Sequence, residues 1–366
     1  MFSKERVTNA LSIESEKYRD VKVIDEWEIA EENLLVIKNE ILGKGAFSIC
    51  YKGILKGVLP INRVFKSLNL TFDLLENTDN EVAVKVLPAY ADDVNRANFL
   101  HEIEFMKNLG YHTHILSLIG YVSNRFAPKI VTELCANGDV LRFLRTNKSN
   151  FVPEGKAIAD DGFHLYLRDL VSIAWQVCDG MCYLSSRNLI HRDLAARNVF
   201  LTKNFVAKIG DFGLCRYTDQ ALYNTQGGRL PIKWMAIESL KWYEYTTKSD
   251  VWSYGVFLFE VFSLGDGPFP CVQPQDMIAF LEKGYRNEKP INCPEEIYEL
   301  MKQCWQESPQ RRPTFTQINA ILSEILQADD AANDYLSMTA EHSGHDGHLL
   351  KASSALNKEA AVDNAS

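Results

Sequence analysis

The stretch Asn188–Gly213 reads NLIHRDLAARNVFLTKNFVAKIGDFG. It carries a carboxylate at Asp193, a carboxamide at Asn198 and a second carboxylate at Asp211, separated by short loop and strand segments that can fold them around one point. Three oxygen donors converging in this way suit a hard cation and a reacting phosphate. Such chemistry requires a nucleotide pocket supplied by the rest of the chain.

The chain is long enough to supply one. Its 366 residues and 41.6 kDa allow about two compact units of roughly 150 residues. With 46% hydrophobic and 24% charged residues it has the composition of an ordinary globular protein. The net charge of −9, with Lys and Arg scattered rather than clustered, argues against nucleic acid as a partner. No transmembrane segment is expected: the best apolar run, Tyr254–Leu264, is short and is interrupted by Glu260. The opening MFSKERVTNA has no apolar signal core. Eight cysteines without a CxxC pair fit reduced thiols and a cytoplasmic location.

In chain order, residues 1–33 are charged and weakly patterned, an arm with Trp27 as its large apolar anchor. Leu34–Ile41 alternates as a strand does. It is followed by LGKGAFSICYKG, Leu42–Gly53, whose Gly43 and Gly45 either form a hairpin turn or bring backbone N–H groups over a phosphate. Glu81–Leu87, EVAVKVL, reads as a buried strand containing Lys85. That lysine either snorkels at a strand end or pairs with Glu102 of the next helix, Asn95–Leu109, whose apolar stripe is Phe99, Ile103 and Met106. The connection Ile54–Asn80 is too long for a tight hairpin and is expected to be a surface insertion.

Ile115–Tyr121 and Lys129–Leu134 read as two further strands, and CANGD, Cys135–Asp139, as a flexible joint at a domain boundary. Thr146–Gly162 is a polar loop insertion. Leu165–Ser185 is a helix with apolar Leu167, Leu170, Ile173, Ala174, Val177, Met181 and Leu184. Cys178 and Cys182, one turn apart, read as core packing rather than as metal ligands.

The ordered set HRDLAARN and DFG, with the glycine loop and the strand lysine before them, resembles a eukaryotic protein kinase catalytic domain. The resemblance runs from Leu34 to about Leu326 and is to the tyrosine kinase group, closest to the receptor type. It implies an α+β, two-lobed protein kinase fold, with a small antiparallel-sheet N-lobe carrying one main helix and a larger, mostly helical C-lobe. The implied divisions are an arm at 1–33, a kinase domain at 34–327 (N-lobe 34–132, hinge 133–138, C-lobe 139–327) and a disordered tail at 328–366.

The same resemblance implies ATP and Mg2+. Leu42, Gly43, Lys44, Gly45, Ala46, Phe47 and Ser48 would cover the nucleotide, Lys85 would hold its α and β phosphates, and Glu102 would fix Lys85. Cys50, Ala83 and Leu201 would enclose adenine, Thr132 would guard the back of its pocket, and Glu133 and Cys135 would lie in the hinge. Asp193 would accept the substrate proton, Arg197 would belong to the same catalytic loop, and Asn198 and Asp211 would ligate the metal. LAARN, with Ala196 and Arg197, and RLPIKWMAIE, Arg229–Glu238, with Pro231 and Trp234, resemble the tyrosine-specific segments. In CWQESPQRRPTF, Cys304–Phe315, Arg312 would pair with Glu238, and Asp250 would brace the catalytic-loop backbone.

Three positions depart from the family pattern. Ser48 replaces the third glycine and implies a moderate loss of nucleotide grip, Cys50 replaces a valine, and Ile237 replaces a proline. Tyr223 matches the regulatory tyrosine of the activation loop. Tyr335 of NDYLSM resembles a docking site for phosphotyrosine-reading adaptors, while His342, His345 and His348 read as a solvated tail. The arm segment DEWEIAEENLLV, Asp25–Val36, resembles the juxtamembrane segment of receptor kinases. A cytoplasmic chain is expected, either membrane-associated through a partner or the intracellular part of a receptor. Its expected substrates are proteins with tyrosine. The competing expectation is a weakly active or inactive kinase-like scaffold that recruits phosphotyrosine readers through its tail.

Overall fold

Valine and isoleucine are more frequent in the first third of the chain than after it, and there they form strands. The computed structural model describes residues 25–45, 48–65, 79–88, 90–124, 127–153, 162–218 and 230–332, with side chains as far as 327. The chain divides into two compact units, Met1–Ala91 with Leu118–Thr132, and Asp92–Ser117 with Glu133–Ser366.

The first unit is built on a five-stranded sheet of order β1-β2-β3-β5-β4. Its strands are Leu34–Lys44 (β1), Ile49–Leu55 (β2), Asn80–Val86 (β3), Leu118–Val122 (β4) and Lys129–Glu133 (β5). The β1–β2, β2–β3 and β4–β5 pairs are antiparallel. β1 runs beyond the expected Ile41 into the glycine segment, with register shifts between Ile37 and Gly43 that mark a bulge. β4 begins only at Leu118, because Ile115 and Leu116 turn to the second unit's residue Ile209 instead.

The described start of the β2–β3 connection, up to Phe65, departs from the expectation of a surface insertion. This part folds into Pro60–Val64 (α1), with Pro60 at the helix start, where its missing N–H costs nothing. Leu59, Pro60 and Ile61 are buried, and the Asn80 amide closes the base through Leu55 O and Gly57 O. An apolar Leu-Pro-Ile run cannot lie on the surface without wasting its burial, worth about 1.5–3 kcal/mol per large side chain.

The second unit is mostly helical. Asp93–Leu109 (α2) is capped by Asp92, which accepts the Asn95 N–H at 2.8 Å, and it buries Phe99, Ile103 and Met106 as its periodicity requires. Asp139 caps Val140–Thr146 (α3) in the same way. Leu167–Ser186 (α4) precedes four short strands, Leu189–Ile190 (β6), Val199–Leu201 (β7), Ala207–Ile209 (β8) and Arg216–Tyr217 (β9), paired as β6–β9 and β7–β8. Ile237–Trp242 (α5), Thr247–Phe262 (α6), Met277–Glu282 (α7), Glu295–Cys304 (α8) and Phe315–Ala332 (α9) complete it.

Helix α6 is the core of this unit and is buried on every side from Ser249 to Phe262. Tyr254 within it donates its hydroxyl to Ala174 O of α4 at 2.8 Å. Cys178 and Cys182 pack on α4 as expected: Cys178 is buried and donates its thiol to Phe315 O, and all eight cysteines are free. Among the described residues no helix is long and apolar enough to cross a membrane.

A buried ion pair ties α5 to the segment before α9. Arg312 places Nη1 and Nη2 at 2.6 and 2.8 Å from the two Glu238 oxygens, and its remaining N–H groups reach Gln306 O, Lys248 O and Glu307 O. Such a bidentate pair is satisfied as a whole and costly to break by halves. Glu238→Ala should therefore lower unfolding free energy by about 3–5 kcal/mol in urea titration, while a Glu238→Leu, Arg312→Met double variant recovers most of that loss.

Candidate active site

The loop between β6 and β7 and the turn after β8 come together through one hairpin. Val199 pairs with Ile209 and Leu201 with Ala207, so Asn198, just before β7, lies beside Gly210, just after β8. The Gly210 N–H donates to Asn198 O at 2.9 Å. Asp211, one residue on, is thereby delivered to the same end of the hairpin as Asn198.

Asp193 sits among these groups. Asn198 donates its amide nitrogen to Asp193 Oδ2 at 2.9 Å and to Asp193 O at 2.7 Å, and the Arg197 guanidinium donates to Asp193 Oδ1. Burial pushes the Asp193 carboxyl up to about 6, against the pull of Arg197 and with a push from Asp211. It remains mainly ionised at neutral pH, yet basic enough to take a proton. With its nitrogen committed twice to Asp193, the Asn198 amide turns Oδ1 the other way. A carboxamide oxygen and the Asp211 carboxylate at one hairpin end are the donor chemistry of a hard divalent cation. Among the described residues no cluster of three or more His, Cys, Asp and Glu side chains forms an alternative metal site.

Helix α6 supports this loop with two carboxylates. Asp250 accepts the backbone N–H groups of His191 and Arg192 at 2.7 and 2.9 Å, the brace expected from the sequence. Burial lifts Asp250 to about 7, opposed by those two hydrogen bonds. Glu260, which in the sequence only interrupts an apolar run, takes the Ala196 N–H at 2.8 Å and the Trp234 indole N–H at 3.0 Å on one oxygen. The Trp234 ring in turn lies 4.5 Å from the Arg197 guanidinium. His191 is held neutral, its value lowered to about 4 by burial. Its Nε2–H therefore points to Gly210 O at 3.2 Å, and its Nδ1 receives the Asp193 N–H at 3.3 Å.

The residues after β8 link this loop to α2. Asp211 has left-handed backbone, with φ 58° and ψ 71°, and Phe212 is fully buried 5.7 Å from the Phe105 ring and 5.8 Å from the His191 ring. Glu102, buried on α2, and Asp211 both flank the position a Cβ on Gly213 would take, at 3.7 and 3.8 Å.

The remaining expected residues make contacts of their own. The Glu133 side chain receives Lys208 at 3.0 Å and the Ser117 N–H at 2.8 Å, while its own N–H goes to Ser117 O; Lys208 also donates to Thr113 O. No sequence signal marked Lys208. Cys135 uses its carbonyl for Gly138, and Leu201 is buried. In the first unit, Leu42, Gly43 and Lys44 lie exposed at the end of β1, and the Gly45 N–H donates to Ser48 O at 2.8 Å. Gly43 has open space where a side chain would project. Lys85, half-buried, is opposite Cys50 in the β2–β3 register, and burial pushes the Cys50 thiol up to about 11. Ala83 is half-buried on β3 and Thr132 is buried on β5. Ala46, Phe47, Tyr223, Arg229, Tyr335 and the histidines His342, His345 and His348 lie outside the described residues.

Removing the Glu260 acceptor strands a buried amide donor and a half-buried indole donor. Glu260→Ala should cost roughly 2–4 kcal/mol of stability and accelerate hydrogen exchange at the Ala196 amide, whereas Glu260→Gln, which keeps an oxygen there, should retain most of both.

Residues 36–322 match the family described as protein tyrosine and serine/threonine kinase. A Caenorhabditis elegans protein, provisionally named a tyrosine-protein kinase, is 50% identical over 334 residues, covering 88% of this chain and 38% of that protein. Fibroblast growth factor receptor 1 of Dugesia japonica is 36% identical over 83% of this chain and 33% of its own length. The insulin-like growth factor 1 receptor of Bos taurus is 34% identical over 84% of this chain and 45% of its own. The chain thus spans between a third and a half of the length of these relatives. With the family match covering the sheet of the first unit, the loop around Asp193 and the helices that support it, the chain belongs to the protein tyrosine and serine/threonine kinase family.

Proposed function

We propose that this chain is a protein-tyrosine kinase that transfers the γ-phosphoryl group of ATP to tyrosine hydroxyls of proteins, with its kinase domain at 34–327 and its hinge at 133–138. The grip of Arg197 and Asn198 on the Asp193 carboxylate carries the assignment. A carboxylate so oriented lines up the attacking hydroxyl and accepts its proton, while the charge dispersed over the transferred group is met by fixed cations and donors. Asn198 Oδ1 and Asp211 would hold Mg2+, which supplies charge neutralisation at the phosphates.

Within this reading Leu42, Gly43, Lys44, Gly45, Ser48, Cys50, Ala83 and Lys85 are the nucleotide-binding residues of the first unit, with Lys85 the phosphate-binding cation, and Glu102, Glu133, Cys135 and Leu201 are those of the second. Tyrosine rather than serine or threonine as acceptor is supported by Arg197 lying over Trp234, next to Pro231, and by the tyrosine-kinase and receptor names of the relatives. Tyr223 is the regulatory acceptor, where a phosphoryl group would add negative charge for arginine side chains to meet. Tyr335 recruits phosphotyrosine readers, and the chain works on the cytoplasmic side of a membrane as the catalytic part of a longer, receptor-like protein.

Purified chain and its Asp193→Asn variant, each given ATP, magnesium and a tyrosine peptide, provide the test. The variant should lose at least about a hundredfold in rate, with phosphotyrosine the only phosphoamino acid formed by the parent. Equal signal from both would instead support the scaffold reading. Tyr223→Phe should lengthen the lag before full activity; identical progress curves after preincubation with ATP would remove Tyr223 from the scheme.

A further inference from the structure

The arm ahead of β1 docks along the outer edge of β4, and every residue involved belongs to the first unit. The Ile29 N–H donates to Tyr121 O at 2.8 Å and the Tyr121 N–H donates to Trp27 O at 3.0 Å, so the arm adds a short parallel pairing to the sheet. Trp27 is 8% exposed and meets Phe65 edge-on at 5.9 Å. The approach depends on Gly120, where a Cβ would lie 2.7 Å from Trp27 O and 2.8 Å from Ile29 Cδ1.

These contacts would seat any extended apolar segment. The arm's polar residues add a key. Three of its five carboxylates between 25 and 32 recur at every third position, Asp25, Glu28 and Glu31, the first two bracketing a turn closed by the Glu28 N–H on Asp25 O at 2.9 Å. Each meets a donor on the β4–β5 hairpin. Asp25 Oδ2 accepts the Tyr121 hydroxyl at 2.8 Å while Oδ1 takes the Trp27 N–H at 3.0 Å. Glu28 Oε1 accepts the Ser123 hydroxyl. Glu31 accepts Asn124 Nδ2 at 3.0 Å and pairs with Lys129 at 2.5 Å.

We propose that the arm is a strap keyed by charge to the β4–β5 hairpin, and that Ser123, exposed at the end of β4, is the modification site at which a phosphoryl group releases it. A serine-directed protein kinase would supply the group from ATP. The Ser123 Oγ–phosphorus bond forms as the bond from the γ-phosphorus to the bridging oxygen breaks, ADP leaves, and the hydroxyl proton passes to that enzyme's base. The donor facing Glu28 then becomes a group of charge about −1.5 to −2, and attraction turns to repulsion in the middle of an acidic strap. Release uncovers Trp27 and the paired edge of β4, which is then open to a strand from another chain. None of this depends on the reaction proposed above.

The full chain made with phosphoserine at position 123, compared with Ser123→Ala, tests the proposal by hydrogen exchange at the Ile29 and Tyr121 amides. Phosphoserine should speed exchange there by about tenfold or more, Ser123→Ala by less than about threefold, and Glu28→Lys in the phosphoserine chain should restore protection. Unchanged protection with phosphoserine, equal loss in Ser123→Ala, or no rescue by Glu28→Lys would overturn it. Should the phosphorylated chain unfold as a whole, with the β2–β3 amides exchanging too, the unmodified protein decides. Raising salt from about 0.05 to about 1 M should then loosen the Ile29 and Tyr121 amides while those of β2–β3 stay protected, and no such difference would refute the charge key.

Discussion

Two carboxylates buried in one helix hold the loop around Asp193 in place. Asp250 and Glu260 lie about 15 Å apart along α6 and clamp the loop at both ends, at His191 and Arg192 and again at Ala196. A carboxylate without water is expensive, and these offset the cost by accepting N–H donors, two from backbone at Asp250 and one backbone and one indole at Glu260. Asp250, in the first helical turn, also gains from the positive end of the helix. Asp193 lies between the clamped amides, so its position is set by the loop backbone before its side chain makes any contact.

The clamps also explain the strained backbone nearby. Arg192 and Asp211 both have positive φ, 69° and 58°, a conformation costing of order 1–3 kcal/mol for such residues. At Arg192 the strain is held by Asp250 and by the guanidinium lying 4.0 Å over the Tyr245 ring. At Asp211 it is held on either side by the β7–β8 hairpin and the burial of Phe212. Strain kept this way preorganises side chains that would otherwise search rotamers.

Much of this was legible from the chain because the residues involved are close in sequence. Asp193, Arg197 and Asn198 span one turn of loop, and a hairpin of short strands can only return Asp211 to Asn198. The Arg312–Glu238 pair and the Asp250 brace were legible through resemblance. Glu260 was not: in a run of apolar residues a single acid looks like an interruption, and its two donors come from segments far away in the chain. Lys208 and Glu133 were missed as partners for the same reason, since neither strand pattern nor spacing says which residue a buried lysine will meet. The α1 turn was read as surface because the connection Ile54–Asn80 was judged by its length and mixed polarity as a whole, not by the short apolar run Leu59–Ile61 within it.

By itself the sequence determined the elements and their chemistry: alternation made the strands, the 3.6 period made α2 and α4, and the donor types around Asp193 pointed to phosphoryl transfer. These depend on neighbours within a few residues, and local propensity and periodicity act at that range. Only the tertiary structure decided which carboxylates would be spent on backbone, as Asp250 and Glu260 are, and which would be held by side chains, as Asp193 is by Arg197 and Asn198. It also decided that the arm's three acids would find donors on a hairpin some ninety residues away. A carboxylate's role follows from its burial and its partners, and those exist only once the chain has folded.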